Sequence, residues 1–391
     1  MPKKMLKVSK FVVLLSSAFI TGLLSAFLFM LLSDKPQIQT ESQEIAQKCA
    51  GNISKEQCYS KEFEVLTQKT DYKFSYDTLQ SLQNIDVEAR GCHLIAHIIT
   101  QTETRKDPSK WQKIATAFNP NDCSGGFMHG AIEQHLLANP TAKFNAQNIH
   151  EVCDAITNPE QGEQNCFHIM GHLVLTSEGG KIPEAIPICD QIEKGDNQLE
   201  CYSGIFMENI TRVNLVSHGI AAPLPWDGKT QAEVENLCRA YDGEAAHGCW
   251  KEIAHLYVAF FKDDAKKIFE RCNSANNSLF ASECAMHAVG IITTDTKYDP
   301  NIMVANCQTN SKVSGFEDRC ILETVSSMIA SSQANTSNAM QFCNLEKDSL
   351  KNACFERVGL SLAFDENKRQ QVCQTVPANY QSACIGKFPT N

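Results

Sequence analysis

The chain has 391 residues, 43% of them hydrophobic and 20% charged, with 20 Gly and 13 Pro, which excludes collagen-like, low-complexity and wholly disordered chains. Eighteen Cys are more than a reducing compartment favours and suit one in which thiols pair. The formal net charge is −10, and four of the lysines (Lys3, Lys4, Lys7, Lys10) precede the first acid. The rest of the chain is therefore more acidic still, which argues against nucleic acid as a partner.

Residues 1–10 form a basic segment, and Phe11 to Leu32 is an uncharged apolar run of 22 residues. At 1.5 Å per residue such a run spans a hydrocarbon core of roughly 30 Å. It is longer than the apolar part of a secretory signal and ends in Phe29-Met30-Leu31-Leu32, with no small-residue cleavage site. The expectation is one uncleaved transmembrane helix, with residues 1–10 held in the cytoplasm by their lysines. The body then lies in the periplasm or outside the cell, where the cysteines pair. Residues 33–75 read as a stalk (Ser33 to about Glu44) followed by an N-terminal helical segment. Residues 76–391 read as a cysteine-rich helical-repeat ectodomain.

From residue 150 onward the cysteines come in pairs: Cys153/Cys166, Cys189/Cys201, Cys238/Cys249, Cys272/Cys284, Cys307/Cys320, Cys343/Cys354 and Cys373/Cys384. Ten to twelve residues separate the partners, and most pairs recur after thirty to thirty-six residues. A period in the thirties marks helix–turn–helix repeats that stack on one another. Amphipathic runs such as AEVENLC and AKKIFERC precede the first cysteine, and runs such as CWKEIAHLYVAFF and CAMHAVGIIT follow the second. Their apolar residues recur at three and four positions, which is helical spacing. Gly, Asn, Asp and Pro lie between the cysteines and give the turn. Each unit therefore reads as a helical hairpin stapled by its own disulfide. Cys49 and Cys58 suit a shorter staple. Cys92 and Cys123, each at the start of a second helix, pair across neighbouring units. Small residues soon after the second cysteine (Ala96, Gly171, Gly204, Ala254, Gly290, Gly359) let adjacent helices approach. The fold expected is all-α, a right-handed superhelical array of about nine stapled hairpins. It resembles the cysteine-rich Sel1-type and tetratricopeptide solenoids in architecture only. The cysteine spacing is longer and the Sel1 Gly/Ala/Tyr pattern does not match, so no function or residue is carried over.

The repeats differ in chemistry. The early second helices carry His93 and His97 (CHLIAH), His129 and Glu133 (HGAIE), His168 and His172 (CFHIMGH), and Glu208 (CYSGIFMEN). His255 and His287 follow singly, and no later second helix has a histidine. Two imidazoles, or an imidazole and a carboxylate, four apart on a helix face the same way and can share an ion. Matching positions of stacked repeats share a face. The expectation is an extracytoplasmic metal-binding protein or metalloenzyme with His93, His97, His129, His168 and His172 as ligands. Glu133 serves there as ligand or general base, and Glu208 as a second carboxylate or as a group that orients a ligand. The ion is zinc, iron or copper; bis-histidine haem stays open. No C-x-x-C, H-E-x-x-H, G-x-S-x-G, P-loop or G-x-G-x-x-G occurs, so thioredoxin-like, zincin, serine-hydrolase and nucleotide chemistries are disfavoured. The competing reading is a membrane-tethered scaffold that holds a peptide or an envelope protein in its groove, its histidines serving as buried hydrogen-bonding residues. An inserted stretch, Ile220 to Gly228 with Trp226, then offers either a lid or an anchor for the partner.

Overall fold

The computed structural model describes residues 36–119, 121–138, 144–156, 162–212, 229–262, 264–309 and 315–386. The apolar run 11–32, His218 and the insertion 220–228 lie outside them. Every regular element among the described residues is helical, and no described helix is long and apolar enough to cross a membrane.

Local sequence explains how the hairpins start. Thr230 accepts from the Glu233 N–H while Glu233 accepts from the Thr230 N–H, a reciprocal cap that opens the helix Gln231–Arg239. Asn145 and Asn148 do the same for Ala146–Cys153. Asp264, Asp299 and Asp365 cap three later first helices. These first helices run only eight to ten residues. Helices that short do not persist alone in water, so packing and crosslinks must hold them. Each ends at or near a cysteine bonded to the start of the following helix: Cys153–Cys166, Cys189–Cys201, Cys238–Cys249, Cys272–Cys284, Cys307–Cys320, Cys343–Cys354 and Cys373–Cys384. Cys49 bonds Cys58, Cys92 bonds Cys123, and no described cysteine is free. A loop this short contributes about 3 kcal/mol per bond in the chain-entropy account.

The second helices form the continuous row. His93–Lys106 packs on Gly126–Leu137, which touches Gly162–Ser177; that helix packs on Asp196–Thr211, then come Gly243–Glu252, Ser278–Asp295, Phe316–Ser331, Asp348–Ser361 and Gln381–Ile385. The row is repeat-like, but it does not run on as an open array. Phe316–Ser331 also packs against the short turn Asp122–Gly125. Arg90 donates to Asn335 Oδ1 at 3.1 Å, Ser332 to Gln83 Oε1 at 2.7 Å, and Lys297 pairs with Glu88 at 2.7 Å. Residues more than 200 apart in sequence thus meet, and the second helices enclose a central chamber. Two connected parts of it, about 510 and about 570 Å³, share Asn165, Met207 and His287 in their walls.

One expectation about the N-terminal region is corrected. The stretch from residue 36 to 44, read as stalk, belongs to a helix over 36–49. Ser42 and Ile45 are buried, and the Ser42 hydroxyl shares a 2.8 Å hydrogen bond with Ser81. Its apolar spacing was hidden by polar neighbours, because a helix that buries a narrow stripe needs few apolar residues. With Tyr59, Phe63, Leu79 and Leu82 it builds a small core beside the main one.

Candidate metal centre

Glycines bring the histidine-bearing helices together. A Cβ on Gly130 would run into the carbonyl oxygen of His97, and one on Gly204 into that of His168. The backbones therefore touch at the turns that carry the imidazoles, so side chains from both helices share one space. Among the described residues the early histidines consequently converge. His129 lies next to three other rings, with centroids 5.6 Å from His93, 4.8 Å from His97 and 5.3 Å from His172. His168 and His172 are 4.9 Å apart. Two imidazoles bound to one ion place their centroids about 4.5–5.2 Å apart, given a metal–nitrogen distance of about 2.1 Å. His97–His129 and His168–His172 fall in that interval, while His93–His129 and His129–His172 exceed it by up to about 0.4 Å; four of the five rings line the 510 Å³ part of the chamber, with His97 behind.

The partners of these rings decide which nitrogens are available. An oxygen that only accepts must receive an N–H, which fixes the tautomer. His93 gives Nδ1–H to the Ser124 carbonyl at 3.1 Å, His168 to Glu200 at 3.2 Å, and His172 to Glu208 at 3.0 Å. Among the described residues His93 and His172 make no hydrogen bond at Nε2, the arrangement found when a second group orients a metal-bound histidine, whereas His168 Nε2 meets the Met207 sulfur. His97 differs: Nε2 bonds Glu133 at 2.6 Å, and its buried Nδ1 makes no hydrogen bond. His97, His129 and Glu133 are all buried and offer three ligand atoms within 4.8 Å of one another. Glu208, fully buried, holds His172. Its contact is that of an orienting group, whereas Glu133 stands where it can ligate or take a proton.

Burial sets the electrostatics. It pushes His93 down to about 4, with the neighbouring His97 adding to the effect, and pushes His129 well below the usual histidine range, with His97 and His172 adding. His168 is also lowered, chiefly by burial. These rings are neutral at pH 7, the form that binds a cation. Burial works against ionising Glu200, but Lys251 at 2.7 Å and the His168 bond outweigh it and hold Glu200 at about 2.

The floor under His93 is unusual. Cys123 and Ser124, neither of them glycine, both take left-handed backbone angles (φ 52° for each), followed by Gly125 at φ 82°. The Cys92–Cys123 bond spans this turn, and the turn aims the Ser124 carbonyl at His93. Left-handed residues of this kind cost about 1–3 kcal/mol each and persist where surrounding structure over-determines them.

A second group was not singled out from the sequence. Glu252, His255 and His287 place three ligand atoms within 4.8 Å of one another. Glu252 and His255 form an E-x-x-H pair in KEIAHL, a local signal that the attention to H-x-x-x-H in the early repeats passed over. The third member, His287, comes from the next second helix and left no local trace. The Met207 sulfur lies 3.3 Å from His168 Nε2.

In comparisons with known proteins, no family model, no curated protein and no solved structure matches the chain.

Proposed function

We propose that the protein is a membrane-anchored, extracytoplasmic metal-binding protein, with a transition-metal ion bound among the early second helices. The observation that carries this is the cluster of imidazoles from three adjacent helices around His129. In it His93 and His172 have their Nδ1–H groups occupied by oxygens, which leaves Nε2 of each to face a ligand, and His168 is oriented in the same way by Glu200. Here His129 is the central ligand, His93, His172 and Glu133 supply the others, and His97 holds Glu133 through its Nε2–H. Glu208 positions His172, and Glu200 positions His168. The mixed imidazole and carboxylate donor set favours zinc or ferrous iron over a hard cation. If the ion supports a reaction, Glu133 is the group placed to move a proton beside it, because it already holds the His97 Nε2–H. The apolar run before residue 33 and the paired cysteines support the placement at a membrane and in an oxidising compartment.

The test is elemental analysis of the full chain, purified oxidised in detergent without a polyhistidine tag or chelator. A near-stoichiometric ion is expected, and His129→Ala/His172→Ala should lose one equivalent while keeping nine disulfides and the helical circular dichroism. If the variant retains all of the metal, or if the wild type refuses zinc and ferrous iron after reloading, the reading is wrong.

A further inference from the structure

We infer that Glu252, His255 and His287 form a second metal site of the two-histidine, one-carboxylate type, on the chamber wall where its two parts meet. It shares no residue with the early-repeat centre, so each can fail without the other.

Three short distances define the group. Nε2 of His255 and Nε2 of His287 are 3.2 Å apart. Glu252 Oε2 lies 3.1 Å from His287 Nε2 and 3.5 Å from His255 Nε2. Ligands bound to one ion at about 2.1 Å are separated by about 3.0 Å when at right angles and by about 3.4 Å when tetrahedral. All three edges of the triangle lie in or within about 0.1 Å of that interval. By contrast, the His97–Glu133 contact at 2.6 Å is short for two ligands of one ion and suits a hydrogen bond.

The triangle places a buried anion between two rings. Glu252 is fully buried, and its Oε2 lies within ion-pair reach of both imidazoles. A carboxylate oxygen so placed needs a cation beside it, which a protonated imidazole or a bound metal ion supplies. The other oxygen, Oε1, receives the Ser203 hydroxyl, which fixes the carboxylate so that Oε2 faces the rings. The adjacent Lys251 is directed away, onto Glu200 at 2.7 Å. The ring centroids of His255 and His287 are 5.0 Å apart, the same spacing as in the early cluster.

Local structure builds this arrangement from two helices. Glu252 ends Gly243–Glu252, and His255 sits in the first turn of Ala254–Phe261, so an i, i+3 pair projects to one side. Gly248 lies against the Ser203 backbone, where a Cβ would meet the Ser203 nitrogen at 2.9 Å, and this close approach puts the Ser203 hydroxyl on the carboxylate. His287 arrives from Ser278–Asp295, the next helix in the row. His255 and His287 then face the 570 Å³ part of the chamber, which leaves a side of the ion open to water or to an oxygen ligand. Two imidazoles, one carboxylate and an open position form a zinc site of the hydrolytic kind, and the edge lengths suit near-tetrahedral zinc.

The experiment uses the full chain, stripped with chelator and titrated with Zn²⁺, and counts zinc retained after gel filtration. Wild type should hold two equivalents. His255→Ala/His287→Ala should hold one, and His129→Ala/His172→Ala should hold the other one. Zinc retention unchanged by His255→Ala/His287→Ala overturns the second site and leaves the early centre standing. One equivalent lost in that variant but none in the early variant upholds the second site and removes the early centre. Should the alanine variants not fold, diethyl pyrocarbonate labelling of the wild type gives the answer. Zinc should protect His255 and His287 from modification, and equal labelling with and without zinc overturns the proposal.

Discussion

The second helices of residues 93–211 and those of residues 316–385 follow one plan and differ in what they turn inward. Both sets carry a buried disulfide at their start, and both pack helix on helix along the row. Both use glycine at close crossings, Gly204 against His168 in the early set and Gly359 against the Cys384 carbonyl in the late one. The early set presents imidazoles and carboxylates to the chamber, whereas the late set presents Glu323, Ser326, Ser327, Arg357 and Ser361. No histidine follows His287 in the sequence. Scaffold and chemistry are therefore separable here. The staples and crossings are common property, and the reactive face belongs to one arc of the row.

This comparison can be broken at the crossings, where the largest effect is expected. Gly204→Ala forces a Cβ onto the His168 carbonyl, a backbone atom that cannot step aside, and should cost about 3 kcal/mol or more in thermal or denaturant unfolding. Gly290→Ala meets only the Ser327 hydroxyl at 3.1 Å, which can rotate, so helix propensity should leave the stability within about 1 kcal/mol of wild type. Equal losses at the two positions would show that Gly204 does not sit at a tight crossing.

Disulfide removal tests the common scaffold. Cys153–Cys166 and Cys307–Cys320 both close a sequence separation of 13. Replacing either pair by alanine should lower the stability by a similar amount, about 3 kcal/mol. A loss confined to the early pair would mean that the staple supports the metal face and not the row.

A smaller effect separates the faces themselves. Zinc at a hundred times its Kd should raise the unfolding free energy of wild type by about 2.7 kcal/mol per site, read as a rise in Tm. His129→Ala/His172→Ala should lose part of that rise, and Ser327→Ala, on the late face, should keep all of it. Identical zinc shifts in both variants would remove the distinction between the arcs.

The smallest effect concerns Glu346, in the late half. Burial, reinforced by Glu317, raises its carboxyl from 4.5 to about 7. The folded state thus binds this proton more tightly than the unfolded chain does. The stabilisation is complete below about pH 4.5 and is lost as the pH rises through about 7. Between about pH 5 and about pH 8 the wild type should lose Tm relative to Glu346→Gln, which stays neutral throughout. Parallel pH profiles would show that the carboxyl titrates in its ordinary range. The early histidines, pushed downward instead, act with the opposite sign: the unfolded chain takes up their protons below about pH 6.5 and the folded chain does not, so they make stability rise up to that pH in wild type and Glu346→Gln alike and cancel from the comparison.

The sequence by itself determined what is local. Cysteines eleven to thirteen apart flank one short hairpin, so pairing within each hairpin was the reading the spacing favoured, and the seven bonds follow it. The histidines at i, i+4 were legible for the same reason, since one helix fixes which residues share its face. What the tertiary structure alone decided depends on how helices cross. Glycine contacts set the distance between neighbouring rings, and so gathered His93, His97, His129, His168 and His172 into one cluster. Glu252 and His255 are neighbours in sequence, but His287 joins them only because the next helix crosses at that turn. The return of residues 294–335 onto residues 83–125 closes the row and makes a chamber where an open groove was expected. Such contacts, across more than 200 residues, arise from the summed small rotations between successive hairpins, and no window of sequence contains that sum.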